Sequence, residues 1–315
     1  MNQANGFLVD GHADILLRIE EEGLDFYKDR TSLQQSYHHM VEGGVDLQIF
    51  ALFVEPEHEP PAMLTRVLQY IETFKREIAD GKRLGAVYTY QDVLENHAKG
   101  IKSGMLSLEG GDCIQGDLRI LRSLYDLGVR AMGLTWNNGN CIADGVGEKK
   151  DRGLTPFGRS VIREMNRLGM LVDVSHLGER SFWDVLEETR APVIASHSNA
   201  KAVYFHRRNL TDEQIRAIAS TGGLVGVTFV PYFIRDGEAT INDLLLHVDH
   251  MLHTAGEDAV GFGSDFDGIE RTMLDLRNGS DYSRFLEVLI KEYGETVTKK
   301  LMGENWLRVL KQTLK

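Results

Sequence analysis

Eight short apolar runs, each of strand length, alternate with amphipathic helical stretches along this chain, and no other feature restricts its fold as much. The runs fall at 7–11, 45–53, 104–109, 129–135, 170–175, 192–196, 223–230 and 259–264. Those at 170–175 and 192–196 are short apolar runs of the kind found in parallel sheets buried on both faces. GAVYTY at 85–90 is a ninth candidate, read as an accessory strand or a turn into the next helix. Between the runs, 61–81 carries Leu64, Val67, Leu68, Ile71 and Phe74 on one helical face and stops at Gly81. A second helix begins at Thr155 and Pro156, an N-cap followed by a first-turn proline, and stops at Gly169. Thr211 and Gln214 have capping-box spacing at the head of a third, which ends near Gly222. Residues 241–256 and the last forty residues also read as helical. Repeated strand–helix units of this kind predict parallel pairing with right-handed crossovers. Eight of them predict a closed (β/α)8 TIM barrel, with a doubly wound open sheet as the alternative. No composition break or linker divides the 315 residues, so 1–315 is read as a single domain.

Five of the runs lead into residues that bind metal well: FLVDGHAD, MLSLEGG, MLVDVSH, PVIASHS and VGFGSDFDG. Collected, these are His12, Asp14, Glu109, His176, His197 and Asp265. They come from many strand ends rather than one switch point, which favours the barrel over the open sheet. His12 and Asp14 are two apart, so both side chains point to one side of a strand. Glu109 precedes Gly110 and Gly111, which permit a sharp exit. A buried glutamate needs a partner: two metal ions, one at each oxygen, or an internal salt bridge to an arginine such as Arg130. His176 and His197 both follow a serine, at what would be adjacent strand ends, and make a natural pair for one ion. Asp265 can ligate and also move a proton, whereas Asp267 reads as a turn or cap residue. Three histidines and three carboxylates exceed what one ion needs and suit two, which points to a dinuclear metal-dependent hydrolase.

Arg207 and Arg208 offer a guanidinium fork for a carboxylate, against the alternative of a surface ion pair. His38, His39, His58, His97 and His206 lack strand-end context, and His247, His250 and His253 read as a solvated helix face. The Gly- and Asn-rich stretch from Asn137 to Asp151 is long for a loop and would lie over the site, where it could close and exclude water.

The net charge of −12 argues against a nucleic-acid partner. No apolar run is long enough to span a membrane, and the N-terminal MNQANGFLVD has neither part of a signal peptide. Cys113 and Cys141 form no disulfide framework and read as reduced thiols, so a cytoplasmic location is expected.

Nearly end to end, from DGHAD at 10–14 to GENWLRV at 303–309, the chain resembles the membrane (renal) dipeptidases. DGHxD, SLEGG, GLTxFG, DVSH, IASHS, RRN and GSDFDG occur in the family's order. The resemblance implies a dinuclear zinc dipeptidase of the amidohydrolase-like barrel type, with other divalent ions able to substitute. It implies hydrolysis of short peptides, including those ending in a D-residue, by a hydroxide bridging the two ions. His12, Asp14, Glu109 and Asp265 match metal ligands, with Glu109 bridging and His176 and His197 completing the second site. Asp265 matches the proton shuttle and Arg208 the binder of the substrate carboxylate. A homodimer is implied by the resemblance alone. One position departs: where vertebrate members carry a histidine that stabilises the tetrahedral intermediate, this chain has Trp136, in LTWNNGN. Either Asn137 or zinc itself then takes over that role or the preferred substrate differs, and Trp136 and Asn137 are expected to line the substrate site. Rivals from the residues alone are another metal-dependent amidohydrolase of cyclic-amide, lactone or deaminase type, and a non-catalytic metal-binding protein.

Overall fold

The computed structural model describes residues 6–315; part of the N-terminal stretch read for a signal sequence lies outside them. Nine strands form one parallel sheet: β1 (Val9–Ala13), β2 (Leu47–Phe53), β3 (Leu84–Ala86), β4 (Lys102–Glu109), β5 (Val129–Gly133), β6 (Leu171–Asp173), β7 (Val193–Ala195), β8 (Leu224–Val227) and β9 (Val260–Phe262). The order is β1-β2-β4-β5-β6-β7-β8-β9, with β3 paired to the outside of this path on β4. Residues just past β9 close the ring onto β1: Asp14 N donates to Phe266 O at 2.8 Å and Asp265 N to His12 O at 3.0 Å. The result is a nearly closed eight-stranded parallel barrel wrapped by helices, the TIM-barrel class. The ninth candidate run is the accessory strand β3, shifted slightly from its expected limits.

Six of the eight observed barrel strands are shorter than their apolar runs, whereas β4 begins two residues before its run. The first begins and ends two residues later than 7–11, so His12 lies inside β1 rather than beyond it. In the run at 223–230 the regular strand ends at Val227, four residues before a helical turn headed by Pro231. Pro231 cannot donate to a ladder, which favours the early stop. Helix signals hold more closely. Thr155 Oγ1 accepts from Gly158 N, and Thr211 forms its capping box with Gln214. The predicted helix at 61–81 is an α-helix over Pro60–Thr73 that widens into a π-turn over Phe74–Ile78.

Two packing arrangements decide which end of the barrel is free. Val9, Leu47, Leu171 and Leu224, the first residues of their strands, are buried together with Trp306, Val309 and Leu310 of the last helix, Asn305–Thr313. Trp306 Nε1 donates to Phe262 O at 3.1 Å, and a Cβ on Gly11 would fall 2.1 Å from the indole, so glycine is required there. The C-terminal helix therefore plugs the end where strands begin. At the other end, register places Phe53, Glu109, Gly133, Asp173 and Ile194 side by side across β2, β4, β5, β6 and β7. That level is the floor of the site.

Candidate active site

All six strand-end residues named from the sequence converge at this open end. His12 Nε2 lies 3.5 Å from Asp14 Oδ2, 3.3 Å from Glu109 Oε2 and 3.8 Å from Asp265 Oδ1. The other oxygen of Glu109, Oε1, lies 3.0 Å from His176 Nε2 and 3.8 Å from His197 Nε2. Glu109 thus stands between two groups, His12–Asp14 on one side and His176–His197 on the other. Ligand atoms of His12, Asp14 and Glu109 lie within 4.8 Å of one another, as do those of Glu109, His176 and His197 and those of His12, His197 and Asp265. The salt-bridge alternative for Glu109 fails, because Arg130 turns away and donates to the carbonyls of Tyr88, Tyr125 and Val129.

Local backbone and neighbouring polar groups aim these side chains. Gly110 leaves Glu109 at φ +93, a conformation natural to glycine. His176, Asp265 and Asp267 adopt left-handed φ of 68, 66 and 69, costly for non-glycine residues and a kind of strain that gathers at functional sites. One buried carboxylate organises both histidine turns: Asp173 Oδ1 accepts from Ser175 N at 2.9 Å and Ser196 N at 3.0 Å, and Oδ2 from Ser196 Oγ at 2.5 Å. Since Ser196 Oγ donates to Asp173, it accepts from His197 Nδ1, 2.8 Å away. His176 Nδ1 donates to Asn137 Oδ1 at 3.0 Å. Both imidazoles therefore carry their proton on Nδ1 and turn a lone pair on Nε2 toward Glu109, the tautomer a metal ion requires.

The electrostatics agree. Burial, with the positive charge of Arg208 next, lowers His176 to about 3. Burial and the charge on His12 hold His197 well below the usual range, so both rings are neutral. Burial alone would lower His12, but Glu109 and Asp14 outweigh it and keep this imidazole protonated well above the usual range. Burial alone would raise Glu109, but His12 and His176 hold it well below the carboxylate range. Asp14 and Asp265 are pushed up, first by burial and then by neighbouring charge. His12 and Arg208 are the positive groups that act on these carboxylates. His12 Nδ1, His12 Nε2 and Asp14 Oδ1 are buried with no hydrogen-bond partner. Mixed imidazole and carboxylate donors, buried and unsatisfied, fit divalent cations such as zinc.

A cleft of about 850 Å³ opens above these residues, lined also by Phe53, Trp136, Asn137, Arg208 and Tyr232. Arg208 is 5 % exposed, whereas its neighbour Arg207 is exposed. The Arg208 guanidinium sits 5.5 Å from the Phe233 ring centre and makes one long bond, Nη2 to His197 O at 3.4 Å. No carboxylate pairs with it among the described residues, and burial lowers it to about 10.

The family model for membrane dipeptidase, peptidase family M19, matches residues 3–315. The chain belongs to the M19 dipeptidases. It is 34% identical over 334 residues to an uncharacterized dipeptidase of Schizosaccharomyces pombe, covering 97% of this chain and 80% of that protein. Among solved structures, dipeptidase AC, a metallopeptidase of family M19, matches with a TM-score of 0.90 and 31% identity over 98% of this chain and 99% of that one. A metallopeptidase from Rhodobacter sphaeroides, bound to a phosphinate mimic of the dipeptide L-Ala-D-Ala, matches with a TM-score of 0.91 and 30% identity over the same shares.

In this M19 metallo-dipeptidase, several sequence expectations are corrected. The Asn137–Asp151 loop, expected to be irregular, is held by several hydrogen bonds in this arrangement. Gly147 N donates to Asn137 O at 2.7 Å, Val146 N to His176 O at 2.7 Å, and Arg152 Nη2 bonds Asp144 Oδ1 at 2.7 Å. Asp267 does sit in a turn, with its left-handed φ of 69, but its side chain reaches beyond it: the two oxygens accept from Gln34 N at 2.8 Å and Gln35 N at 3.0 Å, clamping the 34–35 segment beside the site. His247 is buried, not solvated; Nδ1 accepts from Ala200 N and Nε2 donates to Ile234 O, both structural bonds. Trp136 packs against Phe53 with ring centres 5.4 Å apart and 6.0 Å from the His176 ring. Asn137 serves His176 through its Oδ1.

Sequence reasoning missed Asp173, Ser196, Phe53 and Tyr232, and set aside His206, which lines the cleft. The paired Ser-His segments were the available signal for Ser196, and the acid two residues before Ser175 for Asp173. His206 stacks on Phe233 at 4.4 Å, a contact that nothing in the sequence pattern announces. No helix among the described residues is long and apolar enough to cross a membrane.

Proposed function

We propose that the chain is a dinuclear zinc dipeptidase that cleaves free dipeptides, including those with a C-terminal D-residue. The observation that carries this reading is the placement of Glu109, whose two oxygens face His12 on one side and His176 on the other. His12, Asp14, Glu109 and Asp265 would hold one ion and Glu109, His176 and His197 the other. When bound, such ions lower the pKa of water and polarise the scissile carbonyl.

The chain's own residues do the rest. Arg208, buried and without a carboxylate partner, takes the C-terminal carboxylate of the substrate in a charge-assisted pair. Fixing that end restricts substrates to short peptides and places the peptide bond over Glu109. Asp265, which lines the cleft beside His12, accepts the proton of the attacking water and returns it to the leaving amine. Asn137 holds His176 in its working tautomer, and Trp136 with Phe53 walls the cleft. The D-residue is supported by the Rhodobacter sphaeroides relative, whose bound ligand mimics L-Ala-D-Ala.

A panel of L-L, L-D and N-acylated dipeptides, and their C-terminal amides, tests this reading with the zinc-loaded protein. Cleavage of free dipeptides with loss of the amides is expected. Equal cleavage of the amides would remove Arg208 from carboxylate recognition, and cleavage only of lactones or cyclic amides would favour the wider amidohydrolase group.

A further inference from the structure

Resting on the dipeptidase reading above, we propose that a second cavity beside Trp136 receives the side chain of the substrate's N-terminal residue and favours a long basic one, lysine or arginine. Arg208 follows β7, and in the strand order β7 lies across the eight-stranded ring from β2 and β4. A dipeptide whose carboxylate sits on Arg208 and whose peptide bond lies over Glu109 must therefore direct its N-terminal residue toward β2 and β4. A cavity of about 840 Å³ opens there, between the ends of those strands and the helix Pro60–Thr73. It meets the catalytic cleft at Glu109 and Trp136, which line both.

The lining is graded along its depth. Leu52, Met63, Val67 and Leu108 are buried and give apolar walls. Glu57, Glu59 and Asp112 add three carboxylates, and no lysine or arginine lines the cavity. Asp112 is half-buried and held by Asn140 Nδ2 at 3.0 Å, so its carboxylate is fixed, whereas Glu57 and Glu59 are exposed. A lysine or arginine side chain matches this gradation, because its methylene stem covers apolar surface while its charged end reaches polar surroundings. A glutamate side chain would bring like charge to the same place. The position of Trp136 then has a use here: with Phe53 it forms the partition along which the stem enters.

The test measures kcat/KM of the zinc-loaded protein for Lys-, Arg-, Met-, Ala- and Glu-D-Ala at low and high salt. Methionine controls for length without charge. Lysine and arginine are expected to exceed methionine by about tenfold, because several partly screened pairs contribute together, and the preference should shrink with salt. In E57Q/E59Q/D112N the lysine-to-methionine ratio should fall toward one, and E57Q/E59Q, confined to exposed side chains, should lower it part of the way. A ratio at or below one in the unmodified protein, or a ratio untouched by both variants, overturns the proposal while leaving the dipeptidase reading standing. Cleavage of none of the five peptides overturns that reading, and this inference with it.

Discussion

His176 and His197 face each other Nε2 to Nε2 at 2.8 Å, each with its Nδ1 already committed to another group. Two lone pairs at that separation repel unless a proton or a cation lies between them or beside them, and burial keeps both rings neutral. The Asp173–Ser196 pair behind His197 keeps its lone pair forward. Substituting Ser196→Ala or Asp173→Asn should therefore weaken zinc binding by about 10- to 100-fold, the range seen when such supporting groups are lost. Competition with a chelating dye reads this directly; unchanged affinity in both variants would mean that the pair is only packing.

Asp265 is expected to be needed for turnover and dispensable for folding. Asp265→Asn removes the proton acceptor and relieves crowding with Asp14 and Glu109, so thermal stability should be kept or rise. Turnover should fall by at least about 100-fold, as for loss of a general acid–base group. Near-normal turnover would take Asp265 out of the mechanism.

Arg208→Met should act mainly on substrate binding. Removing one partner of a buried charge pair costs about 2–5 kcal/mol, so kcat/KM for a free dipeptide should fall by roughly 30-fold or more. The effect should appear in KM first, and C-terminal amides should become no worse than in the unmodified protein. A drop confined to kcat would contradict this assignment.

The acids and histidines of the site were legible in the sequence because each sits where a strand-length apolar run stops, and a barrel brings such places together. His12, Glu109, His176, His197 and Asp265 all follow that logic, although the pairing itself stops earlier than the apolar runs in β5, β6, β7, β8 and β9. Hydrophobic pattern records burial, and residues such as Val174 and Phe229 are buried beyond the regular strands, each keeping one backbone bond to the neighbouring segment, to Ile194 O and Ser264 O. What the pattern could not carry was contact between distant segments. The clamp of Asp267 on Gln34 and Gln35 joins positions more than two hundred residues apart, and the burial of His247 depends on Ala200 and Ile234. The Asn137–Asp151 loop looked free for the same reason. Its restraints come from Asp144, Glu148 and His176, which lie in or beyond the loop, and glycine content alone says nothing of them.

Away from the site, Glu164 offers a pH-dependent stability test. Hydrogen bonding to Arg167, with Arg122 also contributing, lowers Glu164 from 4.5 to about 2. A carboxylate with a lowered folded pKa stabilises the fold above its unfolded value and loses that contribution as pH falls through the folded one. Its contribution is thus complete above about 4.5 and disappears toward about 2. Both arginines are largely exposed, so after solvent screening Glu164→Gln should cost about 1 kcal/mol at neutral pH. Urea unfolding at pH 7 and near the acid end should show that difference closing; a cost independent of pH would assign it to packing instead.

The central claim is that Glu109 stands between two metal ions that together enable peptide hydrolysis. The most direct measurement strips the protein of metal and follows hydrolysis of L-Ala-D-Ala as zinc is added in known equivalents, with bound metal counted on the same samples. Activity that rises to a plateau at about two ions per chain, and binding that falls to one ion or none in Glu109→Gln, is the predicted result. Full activity with one ion per chain, or two ions retained without Glu109, would contradict it.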